Sequence, residues 1–451
     1  MPTPPTLDEI RSQFPALDAG TVYLDNAGGS QLPRCVIAQA ARCLRETYAQ
    51  LGGDYAPSLA ASQNLRRAHE VAKVFVHASP REFAPAEETS GSVIIGHSST
   101  ALCHLLASCY ASAADRARQA AAGSGASRPV RDEVIVATAG HEANIGPWLR
   151  LAERGWKVTL WPTEIDDEGL WRPRVGTLER LISARTRVVA FPQVSNILGQ
   201  VWDVAEVCEV VRRHGARSVV DGVAFAPHAA PDVRAYRCDW YVYSSYKVMG
   251  PHAGVLYGSH EALAELDGPN HEFIPRHDVP RVYEVGGVAH EACAMILGLW
   301  EYACYIARRD PSQAIEREVF ERAFAYLGRL EHDLTRRLLD GLSTVPRVRL
   351  VGSPVADARR VSTVSFTAAG ATSASVARSA NLRGIGIRFG SFYSRRLAIE
   401  LGIDPDDGVV RISPLHYTSP GEVDLALDHV QRVLSAAPVS PGAATSVTTP
   451  R

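Results

Sequence analysis

Seven short apolar segments, separated by stretches of helical spacing, constrain the fold of this chain more than any other feature of its sequence. The segments are Ser92–Ile95, Glu133–Ala137, Lys157–Trp161, Arg187–Phe191, Ser218–Asp221, Trp240–Tyr243 and Ala253–Tyr257. Apolar positions recur with the helical period between them, for example in Ala101–Ala113 and Val204–His214. Because strands that alternate with helices form parallel sheets covered on both faces, the pattern predicts an α/β fold with a mostly parallel seven-stranded sheet.

The pattern changes after Pro280, and the change predicts a second, smaller α/β domain. A long helical stretch runs from His290 through Leu339. It is followed by predicted strands at 348–350, 362–366 and 409–412 and by a predicted helix at 420–434. We therefore expect an N-terminal segment that packs with the small domain (1–30), a large domain (31–285), a small C-terminal domain (286–436) and a tail (437–451). The tail is rich in Pro, Ser, Thr and Ala, which predicts disorder.

Composition and charge narrow the function classes. The formal net charge is -2 and charged residues are 21% of the 451 residues, which favours neither a nucleic-acid nor a membrane partner. The N-terminus lacks a basic segment followed by an apolar one, and no apolar run approaches the ~18 residues of a spanning helix. A cytoplasmic protein is therefore expected. The eight cysteines are scattered without a C-x-x-C pair, which predicts reduced core thiols and no metal site.

Lys247 follows one predicted strand and Asp221 ends the preceding one, so the two side chains should meet at the carboxyl edge of the sheet. Small hydroxyl residues, Ser244 and Ser245, stand beside the lysine. Pyridoxal 5'-phosphate (PLP) needs such a set: a lysine that bonds its aldehyde, a carboxylate that keeps its pyridine nitrogen protonated, and hydroxyls that hold its phosphate. A surface lysine after a core strand and an aspartate that caps a turn fit these residues equally well.

Further segments make the chain recognisable; they are Val22–Gly29, Leu51–Tyr55, His97–Thr100, Gly140–Asn144, Val194–Gly199 and Val409–Ser413. With them the chain, from about Phe14 to about Leu434, resembles the class V aminotransferase family, in particular its cysteine-desulfurase-like members. The resemblance implies the PLP-dependent transferase fold type I, PLP as cofactor, an α-amino acid as the small-molecule substrate, and a homodimer whose sites are completed across the interface.

The resemblance also implies roles for individual residues. Lys247, Asp221 and His141 are the expected catalytic residues, with His141 stacked on the pyridine ring and able to shuttle protons. The other expected cofactor contacts are Ser99, Thr100, Asn196, Ser244, Tyr246 and Gly287. The expected substrate contacts are Arg411, Arg388, Asn196, Tyr393 and Asn26. On local sequence alone, Ser99 and Thr100 fit a plain helix cap equally well, and Arg388 fits a residue that braces its loop.

Four departures from the family pattern bear on the reaction. Ala224 replaces the usual Gln or His, Tyr246 the usual His before the lysine, and Gly287 a Thr that commonly reaches the neighbouring subunit's phosphate. Tyr393 falls at or near the place of the desulfurase's nucleophilic cysteine, and no cysteine follows Cys304. Because a phenol cannot accept sulfur as a thiolate does, we expect β-elimination or C–S cleavage without a persulfide. Transamination, epimerisation and a weakly catalytic PLP-binding scaffold remain the alternatives.

Overall fold

All seven apolar segments form strands of one sheet in the computed structural model, although the last strand begins at Gly254 and not at Ala253; the structure describes residues 3–124, 130–166 and 170–436. The strands in chain order are β1 (Val22–Tyr23), β2 (Gly91–Gly96), β3 (Glu133–Ala137), β4 (Lys157–Trp161), β5 (Glu164–Ile165), β6 (Trp171–Arg172), β7 (Thr186–Pro192), β8 (Arg217–Asp221), β9 (Trp240–Ser244), β10 (Gly254–Ser259), β11 (Val348–Val351), β12 (Val364–Ala368), β13 (Ile385–Gly386), β14 (Arg388–Gly390) and β15 (Val409–Ile412). The helices are α1 (Leu7–Arg11), α2 (Arg34–Glu46), α3 (Ala56–Phe75), α4 (Ser99–Ser124), α5 (Gly146–Leu149), α6 (Val175–Leu181), α7 (Val204–Arg213), α8 (Val233–Tyr236), α9 (His260–Ala264), α10 (His290–Ala307), α11 (Arg317–Thr344), α12 (Ser373–Asn381), α13 (Arg395–Glu400) and α14 (Pro420–Ala436).

The large sheet has the strand order β2-β10-β9-β8-β7-β3-β4. Only β10 runs antiparallel to its neighbours in this sheet, so the prediction of a mostly parallel seven-stranded sheet is confirmed. Side chains of β3 alternate between two buried clusters: Ile135 belongs to one, and Val134 and Val136 belong to the other. Both faces of the sheet are therefore covered, as continuous apolar strands require.

A second, antiparallel sheet with the order β11-β12-β15-β14 forms the smaller α/β unit. Its core includes Leu338 of α11, Val376 of α12 and Val430 of α14. The N-terminal strand β1 pairs in parallel with β13, which ties the start of the chain to this unit. The division of the chain at residues 30, 285 and 436 stays a prediction, and the tail at 437–451 lies outside the described residues.

The helical stretch predicted from His290 through Leu339 is wrong as one element, because two helices form there. The helix α10 ends where Arg308 adopts a left-handed conformation (φ 54°), and α11 begins at Arg317. Pro311 follows within the connection, as is common shortly after a helix C-terminus. Among the described residues, no helix is long and apolar enough to cross a membrane.

Strand order brings the predicted functional residues to one edge. The parallel neighbours β8 and β9 both end at that edge, Asp221 as the last residue of β8 and Lys247 one short 3₁₀ turn beyond β9. The N-terminus of α4 reaches the same edge because Gly254 has no side chain there. A Cβ on Gly254 would lie 2.4 Å from the backbone nitrogen of Ser99.

Candidate active site

Lys247 is a buried amine with a lowered pKa. Its side chain is 9% exposed at the end of the sheet. Burial lowers the pKa of Lys247 to about 8, and the charge of Arg411 acts in the same direction, while Asp221 and Asp25 oppose them. The chain has two other lysines, and each of them is ion-paired at 3.0 Å: Lys73 with Glu70, and Lys157 with Glu133. About a tenth of Lys247 is therefore a neutral, nucleophilic amine at pH 7.

Asp221 is the buried carboxylate beside it. Burial raises the pKa of Asp221 to about 6, against a 3.0 Å hydrogen bond from the backbone nitrogen of Val223 and the positive charge of Lys247. A carboxylate in this position is held for a cationic partner, because only such a partner offsets the cost of burying its charge. The protonated ring nitrogen of PLP is a partner of that kind.

His141 begins the 3₁₀ turn Glu142–Asn144 after β3. Its Nδ1 accepts a 3.0 Å hydrogen bond from the backbone nitrogen of Ala143, so the neutral ring carries its proton on Nε2. Burial lowers the pKa of His141 to about 4, reinforced by the charges of Lys247 and Arg411. A neutral imidazole with Nε2–H can stack on a ring and donate one hydrogen bond.

Two serine hydroxyls meet where α4 begins. The hydroxyls of Ser99 and Ser244 are 2.8 Å apart in a buried position. Ser98, not Ser99, caps the helix, since its hydroxyl accepts a 3.1 Å hydrogen bond from the backbone nitrogen of Ala101. Ser99 is thus free of the capping role, whereas Thr100 is exposed in the first turn. Hydroxyls and free N–H groups at the N-terminus of a long helix suit a phosphate.

Arg411 and Arg388 face each other across β15 and β14. Arg411 is buried, and its guanidinium carbon lies 3.7 Å above the ring of Phe392, while that of Arg388 lies 5.7 Å from the same ring. Nη2 of Arg411 is 3.0 Å from the carboxylate of Asp25, and Nη1 of Arg388 is 3.6 Å from it. The Nε of Arg411 has no hydrogen-bond partner among the described residues, which leaves a donor for a carboxylate.

The loop after β14 closes over this edge. Asn196 donates a 2.8 Å hydrogen bond to the carbonyl of Phe392 and accepts one of 2.6 Å from Ser394. The backbone nitrogen of Glu142 donates to the carbonyl of Tyr393 at 2.9 Å. Tyr393 is 69% exposed, has a left-handed backbone (φ 59°), and its ring centre lies 5.1 Å from that of His141. The structure therefore uses the Asn196 amide to hold the loop that presents Tyr393.

Three predicted residues have other surroundings. Both sides of the Asn26 amide are engaged within the protein, by the carbonyls of Tyr23 and Ser413 and by the Tyr417 hydroxyl. The ring of Tyr246 is stacked on His252, with centres 4.9 Å apart. Gly287 (φ 90°) lines a cavity of about 1000 Å³. The roles of these three, like those of the other site residues, stay predictions.

Two residues that the sequence did not single out stand in the site. Asp25 bridges the arginine pair, and Phe392 lies under it. Asp25 lies within the segment Val22–Gly29, two residues after β1, so a carboxylate just after a strand was the available signal. Phe392 gave none, because its contact depends on a loop whose conformation the sequence does not specify.

The residues present fit PLP. They offer a partly neutral lysine amine, a buried carboxylate that requires a cation, a hydroxyl pair at a helix N-terminus and a buried guanidinium with one donor unused. Each group matches one part of the cofactor or one part of an amino acid bound beside it.

Comparisons with known proteins identify the family and the fold of the chain. A family model described as aminotransferase class V matches residues 110–287 and 312–426. The aminotransferase-like protein FGM3 of Gibberella zeae is 33% identical over 438 residues, which cover 95% of this chain and 98% of that protein. A cysteine desulfurase of Synechococcus elongatus is 28% identical over 95% of this chain and 63% of its own length. The crystal structure of the Escherichia coli cysteine desulfurase CsdA shares the fold, with a TM-score of 0.75 at 24% identity over 96% of this chain and 100% of that one. The chain therefore belongs to the class V aminotransferase family, and it is a PLP-dependent enzyme of fold type I.

Proposed function

We propose that the protein eliminates the β-substituent of an α-amino acid, as in C–S bond cleavage, without forming a persulfide. The observation that carries the proposal is the loop after β14, which presents the Tyr393 phenol beside His141 and contains no thiol. A phenol, with an ordinary pKa near ~10, does not serve as a sulfur nucleophile. The departing substituent therefore leaves to solvent with its electron pair.

The thiols of the chain support the same proposal. Seven of the eight cysteines have a pKa that burial raises: Cys35, Cys103, Cys109, Cys208, Cys238, Cys293 and Cys304. The eighth, Cys43, is 2% exposed. Cys103 senses the charge of Asp221, but its sulfur lies 3.8 Å from the Asn144 side chain in the core. A neutral, buried thiol is a poor nucleophile.

The chain's own groups divide the work in the proposed reaction. PLP, which Lys247 would hold until the amino acid binds, would supply the electron sink. Arg411 orients the α-carboxylate through its free Nε, the amine of Lys247 takes the α-proton, and Nε2–H of His141 can donate to the departing group. Asp221 keeps the sink effective by stabilising positive charge at the ring nitrogen.

The test uses β-chloro-L-alanine and L-cysteine with the PLP-loaded protein. Elimination yields pyruvate and ammonia in equal amounts, with chloride or sulfide released to solution, and needs no amino acceptor. A matched variant, Tyr393→Phe, should retain elimination if the phenol is not a nucleophile. Formation of alanine together with a protein persulfide from L-cysteine would contradict the proposal.

Transamination is the second candidate, because a relative that matches over 98% of its length is named aminotransferase-like. A transaminase would exchange the amino group between an amino acid and a 2-oxo acid. Its turnover would stop without the 2-oxo acid, whereas elimination continues.

We also propose a homodimer. The cavity of about 1000 Å³ beside Gly286 and Gly287 opens among exposed apolar side chains that a second copy would cover. These side chains are Tyr48 (71% exposed), Leu51 (39%) and Phe83 (61%). Light scattering should report a mass of two chains; an active monomer would contradict the proposal.

A further inference from the structure

Asp25 places a negative charge between the two arginines of the site. Its carboxylate lies 3.0 Å from Nη2 of Arg411 and 3.6 Å from Nη1 of Arg388. Asp25 also opposes the lowering of the Lys247 pKa, so its charge acts on the amine at the reaction centre. The carboxylate is 25% exposed, which leaves it in reach of a bound ligand.

The backbone fixes Asp25 in this place. Residue 25 forms a parallel bridge with Ser413, two residues beyond Arg411, and Asn26 donates its backbone N–H to the carbonyl of Ser413 at 3.2 Å. A Cβ on Gly28 would lie 2.8 Å from Oδ2 of Asp25, so the glycine leaves room for the carboxylate to turn towards the arginines. The carboxylate is held by its own segment as well as by its ion pairs.

The charges around the amino-acid position can then be counted. Two guanidinium groups and one carboxylate leave one net positive charge. One positive charge balances the α-carboxylate of an amino acid. A second anionic group would then meet no net positive charge, because Asp25 offsets Arg388, so the cost of taking that group out of water would not be repaid and its affinity would fall by on the order of tenfold.

We propose that Asp25 makes the enzyme selective for α-amino acids with an uncharged side chain, and that it offsets the attraction of Arg388 for a second anionic group. The proposal rests on the proposed function only in that the site binds α-amino acids. In this proposal Arg388 helps to orient Asp25 and Arg411, and it does not bind a second acidic group of the substrate.

The experiment compares isosteric amino acids that differ by one charge. The dissociation constants of L-aspartate and L-asparagine, and of L-glutamate and L-glutamine, are measured on the PLP-loaded protein from the change in visible absorbance of the cofactor. The wild type should bind each amide about tenfold more tightly than its acid. Asp25→Asn should bring the ratio of the two dissociation constants, acid to amide, close to one. Arg388→Gln should increase that ratio, because the two variants change the local charge in opposite directions.

A matched control comes from the same N-terminal region. Asp18 is 75% exposed and lies 3.6 Å from Arg34, away from the site, so Asp18→Asn should leave the ratio unchanged. Equal binding of acid and amide by the wild type, an unchanged ratio in Asp25→Asn, or no absorbance change with any of the four amino acids would each overturn the proposal. Pyruvate release from β-chloro-L-alanine, measured on the same samples, tests the reaction type separately. Elimination with an unchanged ratio refutes only the role of Asp25.

Discussion

Burial shifts the pKa values of Lys247 and Asp221 towards each other, to about 8 and about 6. In both cases burial disfavours the charged form, and the charge of the partner only partly compensates. The pair is thus prepared for a ligand that bonds the amine and presents a cation to the carboxylate.

The lowered pKa of Lys247 predicts the pH dependence of cofactor capture by the apoprotein. Only the neutral amine attacks an aldehyde, so the rate of PLP binding should rise with pH up to about 8 and then level off. Stopped-flow absorbance measures this rate. An ordinary lysine, with a pKa near ~10.4, would give a rate that still rises above pH 9. Lys157→Arg is the control, and it should leave the profile unchanged because that side chain is 60% exposed.

Asp221→Asn should reduce turnover more than cofactor binding. The amide keeps the shape of the carboxylate but not its charge, so the ring nitrogen loses the group that stabilises its protonated form. We expect kcat per bound PLP to fall by about 100-fold or more, similar to the loss of one electrostatic contact in other active sites. The amount of bound PLP is measured by absorbance after gel filtration. Equal turnover per bound cofactor would assign Asp221 a structural role only.

Sequence reasoning could place the strand-end residues because their position follows from strand order alone. Asp221, Lys247 and Ser99 lie at the predicted edge of the sheet. Asp25 was beyond such reasoning, since its contact with Arg411 joins residues 386 positions apart and depends on how β1 pairs with β13.

At the scale of elements, the segment Gly390–Ser394 joins the two sheets at the site. Its backbone is irregular, with φ values of 49° and 59° at Phe392 and Tyr393, which bulky side chains rarely adopt. Hydrogen bonds to the Asn196 side chain and to the backbone of Glu142 and Gly140 hold the segment in place.

Ser394→Ala should loosen this segment. The variant removes the hydroxyl that bonds Asn196 at 2.6 Å and leaves a buried amide oxygen without that donor, a loss of about 1 to 3 kcal/mol. We expect kcat/KM to fall about tenfold, with little change in PLP content. Ser391→Ala, in the same loop, is the control. Unchanged kcat/KM in Ser394→Ala would show that the loop is held by its backbone contacts alone.

The elements that sequence predicted best are the strands of the large sheet, because they are buried on both faces and read as continuous apolar runs. The short elements β14, α12 and α13 were not predicted, since a few half-buried residues carry too little periodicity. The break between α10 and α11 was missed because apolar spacing continues on both sides of it, although Pro311 marked its position.

Across the whole molecule, a buried polar cluster connects the segments that carry the two halves of the site. Glu331 of α11 lies 2.5 Å from Nδ1 of His228, which follows β8, and 3.4 Å from Nδ1 of His416, which follows β15. The Tyr302 hydroxyl is 2.9 Å from Nε2 of His416. Asp221 ends β8 and Arg411 lies in β15. The cluster therefore connects the chain segments that follow the two strands carrying these site residues.

Glu331→Gln should destabilise the protein strongly at neutral pH. Burial raises the pKa of Glu331, but the interactions with His228 and His416 outweigh it, so the pKa is lower than in the unfolded chain. A carboxylate whose pKa is lower in the folded protein than in the unfolded chain stabilises the folded state at pH values above ~4.3, the pKa in the unfolded chain. This stabilisation is lost as the pH falls through the pKa of the folded protein. Leaving the two buried histidine rings without their charged hydrogen-bond acceptor costs about 1 to 3 kcal/mol. Urea denaturation at pH 7 should show the free energy of unfolding reduced by that amount. The difference in free energy of unfolding between Glu331→Gln and the wild type should become smaller below about pH 4.

Glu321→Gln provides the matched control on the same helix. Glu321 is 50% exposed and pairs with Arg317 at 2.9 Å, so its loss should cost less than about 1 kcal/mol. Glu331→Gln should also raise KM for the amino acid, because His416 is five residues from Arg411 and both depend on the same segment. If Glu331→Gln were as stable as Glu321→Gln at pH 7, the cluster would contribute no net stability. If the difference in free energy of unfolding between Glu331→Gln and the wild type stayed the same at low pH, the carboxylate charge would not be the source of that stability.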